Sequence, residues 1–245
     1  MTLVILIVSS VVAWIASTLS GGGGGLLLAP VVSYALRPDA VAPILTLTSL
    51  SGSPSSAWFM RDHVRWEIVR WYLPGAIPGG FLGAFLLTRA SAEWLQIVIG
   101  LFLISTLFQY RFGERERTFA VRPWHFPVVG FVVSFFSGLI GGTGPLVNPL
   151  YLNHGVVKQE MVSTKSFNSS VMNLIKLGTY AAFGALTADV VLVGLVVGAA
   201  AVVGSWLGKR ILEKMHPTHF RRVVIALMVI TGALMIWDQR GYWLP

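Results

Sequence analysis

Five consecutive glycines, Gly21 to Gly25, interrupt an apolar stretch that would otherwise read as one long helix. Each glycine in a helix interior costs about 1 kcal/mol relative to alanine, and a run of five has no side chains to pack. The helix must break there. The apolar run that follows, 26 to 36, is too short to cross a bilayer, which takes about 20 residues, and reads as a half-helix. The pattern then recurs. Gly22-Gly23-Gly24-Gly25-Leu26-Leu27-Leu28-Ala29-Pro30 aligns without a gap with Gly141-Gly142-Thr143-Gly144-Pro145-Leu146-Val147-Asn148-Pro149, at an offset of 119 residues, and the second short run covers 145 to 153. Further on, Gly79-Gly80-Phe81-Leu82-Gly83 matches Gly204-Ser205-Trp206-Leu207-Gly208 at an offset of 125. The chain divides into two related halves, 1–117 and 118–245.

The solvent for such a chain is lipid. Of its 245 residues 55% are hydrophobic and 11% charged, with a mean hydropathy of +0.73, whereas soluble domains carry about 25% charged residues. That length allows some eight spans of about 20 residues each and leaves no room for a soluble catalytic domain. The stretch from Leu3 to Leu19 lacks the basic start of a signal peptide and has a counterpart at mid-chain, so it is expected to be part of the mature structure. With no cysteine, disulfides, iron–sulfur clusters and thiolate zinc sites are excluded. The net charge of +8 does not point to nucleic acid, because the basic residues sit in short loops between apolar runs.

Those loops discriminate between topologies, since Lys and Arg collect on the cytoplasmic side. If each glycine-broken segment crosses the membrane once, the basic residues divide evenly between the faces. If each folds back as a hairpin, Arg61, Arg65, Arg70, Arg111, Arg115, Arg117, Arg122, Lys158, Lys209, Arg210, Lys214, Arg221 and Arg222 share one face. Three remain on the other, and Lys165 and Lys176 lie within the membrane. The sequence therefore predicts an all-α polytopic membrane protein of two inverted-topology repeats. Each has about four helices, the first broken at its glycine cluster into a hairpin, with both termini outside and the 111–122 connector in the cytoplasm.

Broken backbone at membrane depth is tolerated only where it is buried in protein or lines a polar cavity. Half-helices starting after Gly25 and Gly144 would aim unpaired amides and a positive dipole end at that cavity, which suits an anion. Gly22, Gly23, Gly24 and Gly25, with Gly141, Gly142, Thr143 and Gly144 and the nearby Asn148, are the backbone candidates. No Lys-Ser or Lys-Thr follows either cluster, so a nucleotide phosphate loop is rejected.

The run 157 to 184 holds Lys165, Asn168, Ser169, Met172, Asn173 and Lys176, and helical spacing gathers Lys165, Asn168, Ser169, Met172 and Lys176 on one face. Intramembrane lysines face bundle interiors and mark functional sites. The corresponding helix of the first half has hydroxyls in place of charges, among them Thr46, Thr48 and Ser49. Hydroxyls, amides and lysines without a carboxylate suit an oxyanion. The carboxylates fall in or near predicted loops, which leaves no proton relay or sodium ligand inside the membrane. The five histidines lack the spacing of a metal site, and no paired nucleophile and base of a membrane protease is present. The chain reads as a non-enzyme without a cofactor, and a homo-oligomer is compatible with it. Gly75, Gly79 and Gly83, and again Gly204 and Gly208, have the four-residue spacing of closely packed helices.

The doubled pattern of a glycine cluster, a short apolar run to Pro30 and to Pro149, and then Gly-xxx-Gly helices resembles the sulfite exporter TauE/SafE family of membrane transporters over nearly the whole chain. Thr143 within the second cluster and Pro145 after it depart from the usual pattern. The resemblance implies multi-pass residence in a bacterial cytoplasmic membrane and transport of sulfite, organosulfonates or related anions. The expected function is a secondary transporter, exporter or permease, working by alternating access with a midplane anion site between the repeats. An anion channel and a non-transporting scaffold or assembly factor are the alternatives.

Overall fold

The computed structural model describes residues 2–35, 38–87, 104, 121–140, 147–182 and 186–238. Among them every long element is a helix. The apolar run 93 to 110 lies outside the described residues apart from Ile104, as do the second glycine cluster, Gly141 to Gly144, and most of the 111–122 connector.

Helix α1 (Thr2–Ser20) ends where the glycine run begins. Gly21, Gly22 and Gly23 have φ of +69°, +122° and +104°, a region that strongly favours glycine. The Gly22 amide donates back to the Ser17 carbonyl at 2.7 Å, and the Ser20 hydroxyl donates to the Gly22 carbonyl at 2.8 Å, closing the turn. Helix α2 (Gly24–Ala35) restarts at once with 12 residues, about 18 Å of rise against a hydrocarbon core of about 30 Å.

Then follow α3 (Pro38–Phe59), a single 3-10 turn (Arg61–His63) and α4 (Trp66–Leu87). Apart from Ile104, the described chain resumes at Val121. Helix α5 (His125–Ile140) precedes the short α6 (Asn148–Asn153), and α7 (Lys158–Ala182), α8 (Ala188–Lys214) and α9 (Pro217–Asp238) complete it. The Thr187 hydroxyl caps α8 by accepting from the Val190 amide.

Glycines decide which helices touch. A Cβ added to Gly75, Gly79 or Gly83 would overlap the backbone of Pro127, Phe131 or Phe135, so α4 and α5 lie backbone to backbone and run parallel. Gly204 and Gly208 of α8 meet Val11 and Thr18 of α1 in the same sense, and Gly194 and Gly198 meet Leu47 and Ser51 of α3. Helix α4 also runs parallel to α7, with Trp66 edge-on to Phe167 at 5.0 Å and Gly80 against Met172. Helices α3 and α7 run in opposite directions: Thr46 bonds Tyr180, Ser53 donates to Ser169 at 3.3 Å, and the Arg65 amide, just past α3, donates to Thr164 at 2.9 Å.

The surface is inverted relative to a soluble protein. Val4, Val8 and Val12 of α1, Ile77 and Phe81 of α4, Val128 and Phe131 of α5, and Leu192 and Leu195 of α8 are exposed. Ser10, Thr48, Ser56, Asn148, Ser163, Thr164, Asn168, Lys165 and Lys176 are buried. Apolar outside and polar inside is the arrangement for a lipid solvent, where burial of polar groups against one another is favoured. Helices α1 and α8 are long and apolar enough to cross a membrane by composition alone. Helix α7, with the largest set of buried polar side chains, packs against α3 and α4.

Two apolar clusters close the ends of the bundle. One joins Met60, Ile68, Phe126, Tyr151, Val156, Leu212 and Phe220, so the segments around 60–68, 121–126, 154–161 and 212–220 meet at one end. The basic residues of those segments gather there, and Arg65 bridges to Glu160 at 3.4 Å. The other cluster, with Leu6, Leu28, Val32, Ile44 and Val190, closes the opposite end.

Candidate functional site

Between the ends lies a cavity of about 920 Å³ of empty space, part of it open to the outside. Its walls come from α1, the glycine turn, the start of α2, and helices α3, α4, α5 and α7. Helix α7 supplies the charge. Lys165 and Lys176 line the cavity and are buried, 8% and 5% exposed.

The Lys165 ammonium donates to the Asn148 side-chain oxygen. The Asn148 amide in turn donates to the Ser20 carbonyl at 2.9 Å, and Ser20 holds Gly22. One chain of hydrogen bonds thus ties the lysine to the glycine turn. A Cβ placed on Gly22 would stand 3.2 Å from the lysine nitrogen, so the absence of a side chain is what lets the ammonium sit against the turn. Leu27 makes the first helical bond, to the Gly23 carbonyl. The amides of Gly24, Gly25 and Leu26 therefore have no intrahelical acceptor, and Gly24 and Gly25 line the cavity.

Lys176 is held differently, donating to the Ser137 carbonyl at 3.4 Å and hydroxyl at 3.1 Å on α5. One turn earlier on α5, Ser134 shares a hydrogen bond with the Tyr72 hydroxyl at 3.4 Å. Between the lysines, Ser169 accepts from both Ser53 and the Asn173 amide at 3.3 Å each. The Asn168 amide nitrogen donates to the Tyr151 hydroxyl at 3.0 Å, and its oxygen is buried with no hydrogen-bond partner among the described residues. Turning that amide over lets Tyr151 donate to the oxygen.

Of the residues expected from sequence, Gly22 to Gly25, Ser49, Lys165, Asn168, Ser169, Asn173 and Lys176 come together around this space. Asn148 stands behind Lys165 as its partner. Thr46 and Thr48 are not among the lining residues. The Thr48 hydroxyl returns to the Ile44 carbonyl at 2.9 Å, a bond within its own helix, and Thr46 is engaged by Tyr180. Gly141, Gly142, Thr143 and Gly144 lie outside the described residues.

Sequence reasoning did not single out Trp14, Ser17, Tyr72, Ser134, Ser137 or Tyr151, which also line the cavity. Trp14 and Ser17 share one face of α1 directly before the first glycine turn, and Ser134 and Ser137 occupy the same place on α5 before the second cluster. Position relative to the breaks was the available signal.

Among the described residues the lining holds two lysines, an aromatic wall, several hydroxyls and amides, and no Asp or Glu. Burying an ammonium in a membrane bundle is unfavourable by at least about 2.5 kcal/mol on insertion scales, and an anion beside it offsets that cost. Among the described residues no group of His, Asp and Glu could hold a metal. Fold and site together define a helical membrane protein with a buried cationic cavity at a glycine-broken helix. The chain belongs to the sulfite exporter TauE/SafE family, whose model matches residues 6–235, and that family is one of membrane transporters. No curated protein and no solved structure matches the chain.

Proposed function

We propose that the protein is a secondary carrier of a small sulfur-containing oxyanion, sulfite or an organosulfonate, bound in the lysine cavity and moved by alternating access. The observation that carries this reading is the burial of Lys165 and Lys176 in one cavity whose lining, among the described residues, includes no carboxylate. Membership of the sulfite exporter family supports the substrate class. In this mechanism Lys165 supplies charge, Asn168, Ser169 and Ser49 donate hydrogen bonds, and the amides opening α2 complete the shell on one side. Gly141 to Gly144 are the counterpart from the other half.

The halves, 1–117 and 118–245, are read as inverted repeats. At the sequence offset α4 on α5 and α8 on α1 are equivalent pairs, and both run parallel. The equivalent helices α3 and α7 face each other and run in opposite directions. A two-fold axis along the membrane normal would leave equivalent helices parallel; an axis in the membrane plane reverses them. The basic end of the bundle is assigned to the cytoplasm of a bacterial cell, with a multi-pass chain in its cytoplasmic membrane.

Counterflow in proteoliposomes tests the function. Vesicles preloaded with unlabelled sulfite are expected to accumulate external labelled sulfite transiently, because a carrier exchanges bound anions across the membrane. Uptake without any overshoot would mean a channel, and no uptake with either sulfite or methanesulfonate would reject the oxyanion reading.

A further inference from the structure

We infer that the cavity contains two separate anion subsites in series along α7, one at each lysine, rather than a single site that both lysines share. The inference rests on the oxyanion-carrier reading above and deepens it.

Lys165 and Lys176 are eleven positions apart on one helix (165 to 176). At 3.6 residues per turn that separation returns to the same face, and at 1.5 Å per residue it sets the two Cα atoms about 16 Å apart along the axis. A pyramidal or tetrahedral oxyanion is far smaller than that rise. The side chains are also drawn to different elements. Lys165 is bonded to Asn148 at the head of α6 and sits against the Gly22 turn. Lys176 is bonded to Ser137 in the last turn of α5.

Each lysine has its own neutral donors close by. The amides at the start of α2 and the Asn168 side chain stand on the Lys165 side, and Ser137 stands with Lys176. Between them the face of α7 is neutral, with Ser169, Met172 and Asn173. An anion held at Lys165 is therefore out of reach of Lys176 unless a lysine leaves its anchor. Because both lysines open into one cavity, an anion can pass from one station to the other inside the protein. Each subsite takes one small oxyanion of the sulfite or sulfonate type.

Isothermal titration of the full-length protein in detergent with sodium sulfite under inert gas provides the test. The wild type is expected to bind two equivalents, and Lys165→Met and Lys176→Met one each, the loss of one of two sites in either variant. Lys165→Gln and Lys176→Gln, which keep a polar group in place, are expected to behave in the same way. A crystal grown with selenite as an anomalously scattering stand-in is expected to show two selenium peaks, one beside each lysine.

One equivalent in the wild type, weakened by either substitution, would overturn the inference in favour of a shared site. So would a single selenium peak, or loss of both equivalents in one variant. A wild type that binds no sulfite and no methanesulfonate would remove the carrier reading itself, an outcome distinct from binding at one site.

Discussion

Replacing Gly22 with alanine is predicted to destabilise the protein, while the same change three residues later, at Gly25, leaves it unchanged or stabilises it. Gly22 has φ of +122°, a conformation essentially reserved for glycine, where an L-residue costs roughly 1–3 kcal/mol. Its new Cβ would also stand 3.2 Å from the Lys165 nitrogen, so the ammonium must shift by a few tenths of an ångström and loosen its bond to Asn148. Gly25 lies inside α2 with ordinary helical backbone, and an added Cβ would meet the Ser49 hydroxyl at 3.5 Å, normal contact. Alanine there gains up to about 1 kcal/mol of helix propensity. With about 2–4 °C of melting temperature per kcal/mol for a chain of this size, Gly22→Ala should melt about 2–12 °C below the wild type and Gly25→Ala at or above it. Thermal unfolding in detergent, followed by tryptophan fluorescence, measures both. A Gly22→Ala protein that melts at or above the wild type would refute the positive-φ turn as the origin of the helix break.

Gly79→Leu is expected to abolish assembly of a monodisperse protein, because its side chain would enter the backbone of Phe131 on α5, whereas Gly178→Ala, with nothing within 4 Å of its Cβ position, should raise stability by up to about 1 kcal/mol; size-exclusion profiles and melting curves separate the two. Thr187→Ala removes the side-chain cap of α8 and should lower stability by about 1 kcal/mol in the same melting assay. Glu160→Ala, which breaks an ion pair whose side chains are 47% and 39% exposed, should change stability by less than about 1 kcal/mol.

The first break was legible because its cause is local. Five glycines cannot hold a helix whatever surrounds them, and three of them adopt positive φ in the structure. The polar face of α7 was legible for a similar reason: Lys165, Asn168, Ser169 and Lys176 recur at helical spacing in a chain where charge otherwise falls in loops and near helix ends, and all four line the cavity. Helix α3 was harder to read. Its hydroxyls occur on every side, so periodicity selects no face, and a serine or threonine in a helix can satisfy itself on its own backbone, as Thr48, Ser51 and Ser55 do. Ser49 and Ser53, one turn apart, are the ones that reach the cavity.

Tyr72, Ser134 and Ser137 are lone polar residues on apolar helices and form no pattern by themselves. What places Tyr72 beside Ser134 is the glycine stripe at 75, 79 and 83, which draws α5 against α4. That stripe was visible in the sequence as a packing signal, but its partner helix was not. Helix choice depends on the shape of both surfaces, and sequence spacing describes only one of them.

The central claim is that the buried lysines of the cavity bind the transported oxyanion. The most direct measurement is initial uptake of labelled sulfite into proteoliposomes containing the wild type or the Lys165→Met, Lys176→Met double variant. Equal reconstitution and melting temperature of the two proteins must be verified first. Saturable uptake by the wild type and its loss in the double variant is the predicted result. Undiminished uptake by a folded double variant would contradict the claim.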